Sequence, residues 1–142
     1  MKLMGLDVGS RTVGVAISDV VGWTAQGVEI IRINEDEEEF GLDRVAELVK
    51  EHDAGGFVLG LPKNMNNTEG ERVSKTIDFK SNLERRTGLA VELWDERLTT
   101  VAADRIMMEA GIRREHRKDY VDMIAAELIL QGYLDKRRLG EK

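Results

Sequence analysis

The sequence predicts an α/β domain on a mixed five-stranded sheet, with an antiparallel three-strand meander followed by two further strands and flanking helices. Three observations carry this reading. Residues 2 to 33 alternate with the two-residue period of strands, broken by Gly9-Ser10-Arg11 and Gly22-Trp23-Thr24. From about residue 38 onward, helical spacing takes turns with short apolar runs. The length of 142 residues, 42% hydrophobic and 34% charged, suits one domain and is too short for two of ordinary size. Residues 1–142 are therefore read as a single domain.

The first strand is expected at about Lys2 to Val8 and the second at about Thr12 to Ser18, joined by a hairpin turn at Gly9-Ser10-Arg11. A third, partly exposed strand is expected at about Gly27 to Ile33, where Val28, Ile30 and Ile31 mix with Glu29 and Arg32. Gly41, Val45, Leu48 and Val49 then repeat at helical spacing, predicting an amphipathic helix from about Glu38 to His52, ended by Gly55-Gly56. Phe57-Val58-Leu59-Gly60-Leu61 reads as a buried strand stopped by Pro62, the chain's single proline, and feeding a loop from Lys63 to Gly70. A helix from about Glu71 to Thr87 ends near Gly88 and precedes a fifth strand, Ala90 to Asp95. Thr99 or Thr100 caps the next helix, which stops at Gly111, and a last helix runs from about Lys118 to Arg138. Trp23, Met107 and Met108 are expected to pack inside rather than at an interface. This order, βββαβαβαα, lacks the unbroken alternation of a doubly wound sheet and is that of an RNase H-like domain.

Composition excludes several kinds of chemistry. With no cysteine there is no disulfide, thiol catalysis or thiolate metal site, and two distant histidines do not suggest an imidazole zinc site. Any metal is expected on oxygen ligands. No apolar run is long enough for a membrane span, and Asp7 interrupts the N-terminal stretch before a secretory signal could form, so a cytoplasmic location and no membrane partner are expected.

The net charge of −6 argues against nucleic acid as a partner until its distribution is considered. Residues 1–96 carry 11 basic and 19 acidic side chains, whereas residues 97–142 carry 10 basic and 8 acidic. Five of the acids form one block, Glu35 to Glu39, read as a solvated loop and helix start.

Three carboxylates stand out by position. Asp7 closes an otherwise apolar strand, sharing a face with Leu3 and Gly5, and fits either a cap on the Gly9-Ser10 turn or a ligand. Asp95 and Glu96 end the fifth strand on opposite faces, so one of them can meet Asp7, and either can equally be a strand end reaching water. Asp122 lies on the apolar stripe of Ala126, Ile129, Leu130 and Tyr133, where a carboxylate requires an arginine or a metal. Asp119, one turn earlier, reads as a solvated residue or a helper.

If Asp7, Glu96 and Asp122 converge, they form a hard oxygen site suited to Mg²⁺ or Mn²⁺, in which two ions can clamp a phosphodiester. Ser10, Arg11 and Thr12 in the first turn, Lys63 and Asn64 after Pro62, and Arg97 beside Glu96 are candidate phosphate ligands. Arg113, Arg114, Arg117 and Lys118 form a basic cluster that either tracks a nucleic-acid backbone or is simply solvated.

Taken together, Gly5-Leu6-Asp7-Val8-Gly9-Ser10 with Gly14-Val15-Ala16, Val58 to Met65, Asp95-Glu96-Arg97-Leu98-Thr99-Thr100, and Asp122 ahead of Ala125-Ala126 resemble the YqgF (RuvX-type) family of bacterial nucleases over nearly the whole chain. The resemblance implies an RNase H-like fold and a nuclease site at Asp7, Glu96 and Asp122. It further implies action on the 5′ end of precursor 16S ribosomal RNA or, by an earlier view of the family, on Holliday junctions. RNA is the expected partner and structured DNA the alternative, with the chain a monomer or a homodimer. Asn67 departs from the family's usual glycine, although asparagine tolerates a left-handed turn. Two other classes compete: an actin-like phosphotransferase or ATPase, disfavoured because the chain lacks both the length for a second such domain and the second Asp-x-Gly turn far downstream that comes with it, and a non-catalytic nucleic-acid-binding or ribosome-assembly factor.

Overall fold

In the computed structural model, residues 1–9, 11–61, 70–95 and 121–140 are described. β1 (Lys2–Val8) and β2 (Thr12–Ser18) form the expected hairpin, with Val8 opposite Val13 and the Gly9 amide donating to the Thr12 carbonyl at 2.8 Å. β3 (Ala25–Arg32) adds antiparallel to β2 and completes the meander. β4 (Ala54–Leu61) lies parallel to β1 on its other side, and β5 (Val91–Asp95) lies parallel to β4. The order β3-β2-β1-β4-β5 places β1 at the centre, as expected of a strand buried on both faces.

Helices cover both faces. α1 (Leu42–His52) and α2 (Glu71–Thr87) enclose a core with Met4, Leu6, Val13, Val45, Phe57, Leu59 and Leu83. α3 (Val121–Gly140) covers the other face, where Ala126, Ile129, Leu130 and Leu134 meet Leu3, Ala16 and Val58. At the edge of this second core Trp94 meets the Tyr133 ring edge-on, with centroids 6.2 Å apart, and Lys136 lies over the indole.

Four expectations are corrected. Asp53, with φ of 56°, ends α1 by donating its amide to the Val49 carbonyl, so Gly55 and Gly56 are free to open β4. Residues 38–41 precede α1 instead of forming its first turn, and Gly41 enters it with φ of 76°. The acid block is not simply solvated: Glu35–Glu37 is a 3₁₀ turn capped by the Asn34 side chain, and the Glu35 side chain is only 8% exposed. Trp23 is exposed at 58%, because the Asp19 carboxylate binds the Trp23 amide and Thr24 hydroxyl and turns this loop outward. Those bonds also hold the Asp19 carboxyl below its usual pKa. Gly88, with φ of 73°, ends α2 as expected. The helix expected from Thr99 or Thr100 to Gly111 lies outside the described residues, with Met107 and Met108.

Candidate active site

Because β1, β4 and β5 run parallel, Val8, Leu61 and Asp95 end on one edge of the sheet, the edge at which open α/β sheets place their ligands. Alternation sets Leu3, Gly5 and Asp7 on the α3 face of β1, and Leu3 packs in the α3 core accordingly. Asp7 is half-buried and lies opposite Gly14 of β2. The β1–β4 register, which pairs Leu6 with Leu59, brings Gly60 level with Asp7 on the other side. The central carboxylate is thus flanked on both neighbouring strands by residues without side chains. This flanking by two buried glycines is the main feature that sequence reasoning missed, and the register needed to see it is tertiary information.

α3 runs antiparallel to β1 across this face. Leu134 and Leu3 line one cleft at the start of β1, whereas a Cβ placed on Gly5 would stand 2.9 Å from the Ala126 carbonyl oxygen and 2.7 Å from the Leu130 Cβ. One helical turn before Ala126 is position 122, and two residues beyond Gly5 is Asp7. A turn rises ~5.4 Å and two strand residues span ~6.7 Å, so the backbone of residue 122 is brought to the level of Asp7.

At the end of β5, Asp95 pairs with Leu61 and shares the parity of Val91, which belongs to the core under α1 and α2. It therefore lies on the face opposite Asp7. Trp94, of the other parity, packs against α3. Of the predicted site residues, Ser10, Lys63, Asn64, Glu96, Arg97, Arg117 and Lys118 lie outside the described residues, and Asp122 is described by its backbone alone. Asp119 and the remaining basic cluster also lie outside them. No group of three potential metal ligands converges among the described residues.

The turn after Asp7 presents Arg11, which is exposed, and Thr12, which is half-exposed. Arg11 and Arg32 share a cleft of about 490 Å³ with Ile33, Asn34, Glu35 and Asp36. Arg32, opposite Thr12 in the β2–β3 ladder, was not singled out from the sequence. Behind the turn, Arg72 of α2 grips Glu35 with both terminal nitrogens, at 2.7 and 3.1 Å, and Lys75 approaches the same carboxylate at 3.3 Å. The Arg72 hydrogen bonds, followed by those of Lys75, outweigh burial and hold the Glu35 carboxyl below the usual glutamate range.

Oxygen-only donors suit a hard divalent cation. The donor set of Asp7 and the carboxylates expected beside it is all oxygen, which fits Mg²⁺ or Mn²⁺.

Comparison with known proteins agrees with this architecture. The chain is 67% identical over 137 residues to a protein of Lactiplantibacillus plantarum, covering 96% of this chain and 95% of that one. It is 62% identical to one from Ligilactobacillus salivarius, covering 96% and 93%, and 58% identical to one from Listeria monocytogenes, covering 95% and 98%. All three are named "Putative pre-16S rRNA nuclease". Among solved structures, Thermus thermophilus RuvC in complex with a Holliday junction matches with a TM-score of 0.61 at 17% identity, covering 99% of this chain and 97% of that one. The fowlpox virus resolvase with junction DNA matches with a TM-score of 0.57 at 14% identity, covering 96% and 98%. These likenesses establish the RNase H-like fold. The family model described as "RuvX: Holliday junction resolvase" matches residues 1–136, and the chain belongs to that family.

Proposed function

We propose that this chain is a divalent-metal-dependent nuclease that hydrolyses phosphodiester bonds at the 5′ end of precursor 16S ribosomal RNA. The observation that carries the reading is Asp7: a carboxylate at the end of the central strand, between Gly14 and Gly60, with position 122 of α3 brought to its level. The names of relatives at 58–67% identity favour ribosomal RNA as the substrate. A cytoplasmic location and a single domain over residues 1–142 accord with that role.

Asp7, Glu96 and Asp122 are the residues proposed to hold Mg²⁺ or Mn²⁺. The bound ions, two in number as in many phosphodiesterases, would supply an activated water and charge stabilisation for the leaving oxygen. Glu96 is preferred to Asp95 because Asp95 lies on the face away from Asp7. Arg11 and Thr12 in the first turn hold substrate phosphates, joined by Ser10, Lys63, Asn64, Arg97, Arg117 and Lys118. In the absence of ions, clustered carboxylates repel a phosphate backbone, so productive binding depends on the metal.

A second reading, Holliday junction cleavage, is favoured by the family description and the RuvC-like fold. It requires a symmetric dimer to cut both strands, whereas RNA processing is open to a monomer. Purified protein is incubated with Mn²⁺ or Mg²⁺ and either precursor ribosomal RNA, four-way DNA junctions or generic single strands, with its mass in solution measured alongside. Cleavage at the RNA 5′ segment, stopped by chelation and restored by Mn²⁺, is expected. Cleavage of junctions alone by a dimer would replace the first reading with the second. Binding of RNA without cleavage under any condition would leave a non-catalytic assembly factor.

A further inference from the structure

The turn behind Asp7 is held in place from outside the sheet. Within the hairpin the Gly9 amide donates to the Thr12 carbonyl at 2.8 Å, and the Arg11 carbonyl accepts from the Ile33 amide at 2.8 Å. A third tie comes from α2: Nη2 of Arg72 donates to the Gly9 carbonyl at 3.4 Å and to Oε2 of Glu35 at 2.7 Å. Nη1 of Arg72 donates to the other Glu35 oxygen at 3.1 Å, which makes the pair bidentate. The Glu35 side chain is 8% exposed and that of Arg72 31%, so this ion pair is partly shielded from solvent. Among the described residues the buried Nε of Arg72 has no hydrogen-bond partner, and the guanidinium's bonds are made by its two outer nitrogens.

Two physical consequences follow from the pairing with Glu35. The planar fork fixes the guanidinium, and with it the donor that reaches Gly9, two residues along the chain from Asp7. The carboxylate also holds the arginine's charge, which would otherwise be drawn toward the anionic site at the strand end. We propose that Arg72, oriented by Glu35, is a positioning residue: it holds the Gly9 turn so that β1 presents Asp7 in the geometry required for hydrolysis. The proposal rests on the nuclease reading of the site. It gives a function to one member of the acid block and to an arginine that lies outside every sequence motif.

The test uses the full chain with the near-isosteric Glu35→Gln and with Arg72→Lys, which keeps the charge and removes the fork. Two readouts are followed: steady-state cleavage of a precursor-derived RNA in Mn²⁺, and hydrogen exchange of the Gly9 and Ile33 amides without metal. In both variants kcat is expected to fall ~10- to 100-fold with KM changed no more than ~2-fold, the pattern of a misplaced catalytic group. Gly9 exchange should accelerate about tenfold while the α1 and α3 amides keep their protection. Unchanged kcat together with unchanged Gly9 exchange overturns the proposal. So does a raised KM at constant kcat, which would make Arg72 a substrate ligand. If the wild type cleaves nothing, the nuclease reading falls by itself; Gly9 exchange then decides the brace, unchanged exchange in Glu35→Gln overturning it and faster exchange retaining it as a property of the turn.

Discussion

Gly5 and Leu130 are in contact so close that a β-carbon on Gly5 would lie 2.7 Å from the Leu130 Cβ and 2.9 Å from the Ala126 carbonyl oxygen. One of the two obstacles is helix backbone, so no rotamer change relieves it. Gly5→Ala must therefore push α3 off the sheet, and overpacking of this kind costs about 1–3 kcal/mol. The same displacement lifts position 122 away from the level of Asp7, so the loss of cleavage should exceed what the unfolded fraction explains. Urea denaturation and cleavage by the folded fraction measure both effects. A variant within about 0.5 kcal/mol of the wild type and fully active would show that α3 is not held at this distance.

Asp7→Asn removes the charge and preserves the shape. The site would lose a metal ligand worth several kcal/mol of transition-state stabilisation, so single-turnover cleavage should drop ~10³-fold or more. Asp122→Asn should behave in the same way. RNA affinity in EDTA, measured by fluorescence anisotropy, should be kept or slightly improved, since one repulsive charge is gone, whereas in Ca²⁺ loss of the ligand should weaken it. Cleavage surviving in Asp7→Asn would remove the central carboxylate from the mechanism.

The strands were legible because their signal is local. The two-residue alternation of Lys2 to Val8 and Thr12 to Ser18 is present whatever packs against them, and both strands have the expected bounds. Asp7 was legible for the same reason, as a charge on an apolar strand. Much of what failed depended on partners distant in sequence. Nothing near Glu35 says that Arg72, 37 positions away, will draw it inward. Nor does anything local say that Gly14 and Gly60 will flank Asp7, because strand register is decided by the whole sheet. The end of α1 misled for another reason: Gly55-Gly56 is the stronger stop signal, but Asp53 adopts the left-handed conformation first.

That residue and Gly88 make opposite predictions. Asp53 ends α1 with φ of 56°, where a β-carbon is strained, and Gly88 ends α2 with φ of 73° and open space within 4 Å of where a Cβ would stand. Asp53→Gly should stabilise the protein by about 0.5–1 kcal/mol, and Gly88→Ala should destabilise it by about 1 kcal/mol through dihedral strain alone. Thermal unfolding of the two variants checks the pair. Equal and opposite signs are not required, but a loss of stability in Asp53→Gly would mean that the aspartate side chain contributes more than its backbone costs.

Glu35 predicts how stability changes with acid. The Arg72 hydrogen bonds, then those of Lys75, lower its folded-state pKa below the value it has in the unfolded chain. For a carboxyl with a depressed folded pKa, the stabilisation is present above the unfolded pKa of ~4.3 and is lost as pH falls through the folded value. Near neutral pH Glu35→Gln should therefore be less stable than the wild type, by about 1.5–3 kcal/mol for a partly buried, charge-assisted pair. As pH falls below ~4.3 the wild type takes up a proton at this position on unfolding and loses its advantage, whereas glutamine has nothing to protonate. Urea midpoints of the two proteins should accordingly converge as pH falls below the unfolded carboxyl value of ~4.3 and through the lower folded one. Parallel curves would mean that the Glu35 charge is not what Arg72 and Lys75 hold in the folded state. Because the same pair ties Arg72 to the Gly9 carbonyl, the protection of the wild-type Gly9 amide, taken relative to its intrinsic exchange rate at each pH, should fall as Glu35 is protonated.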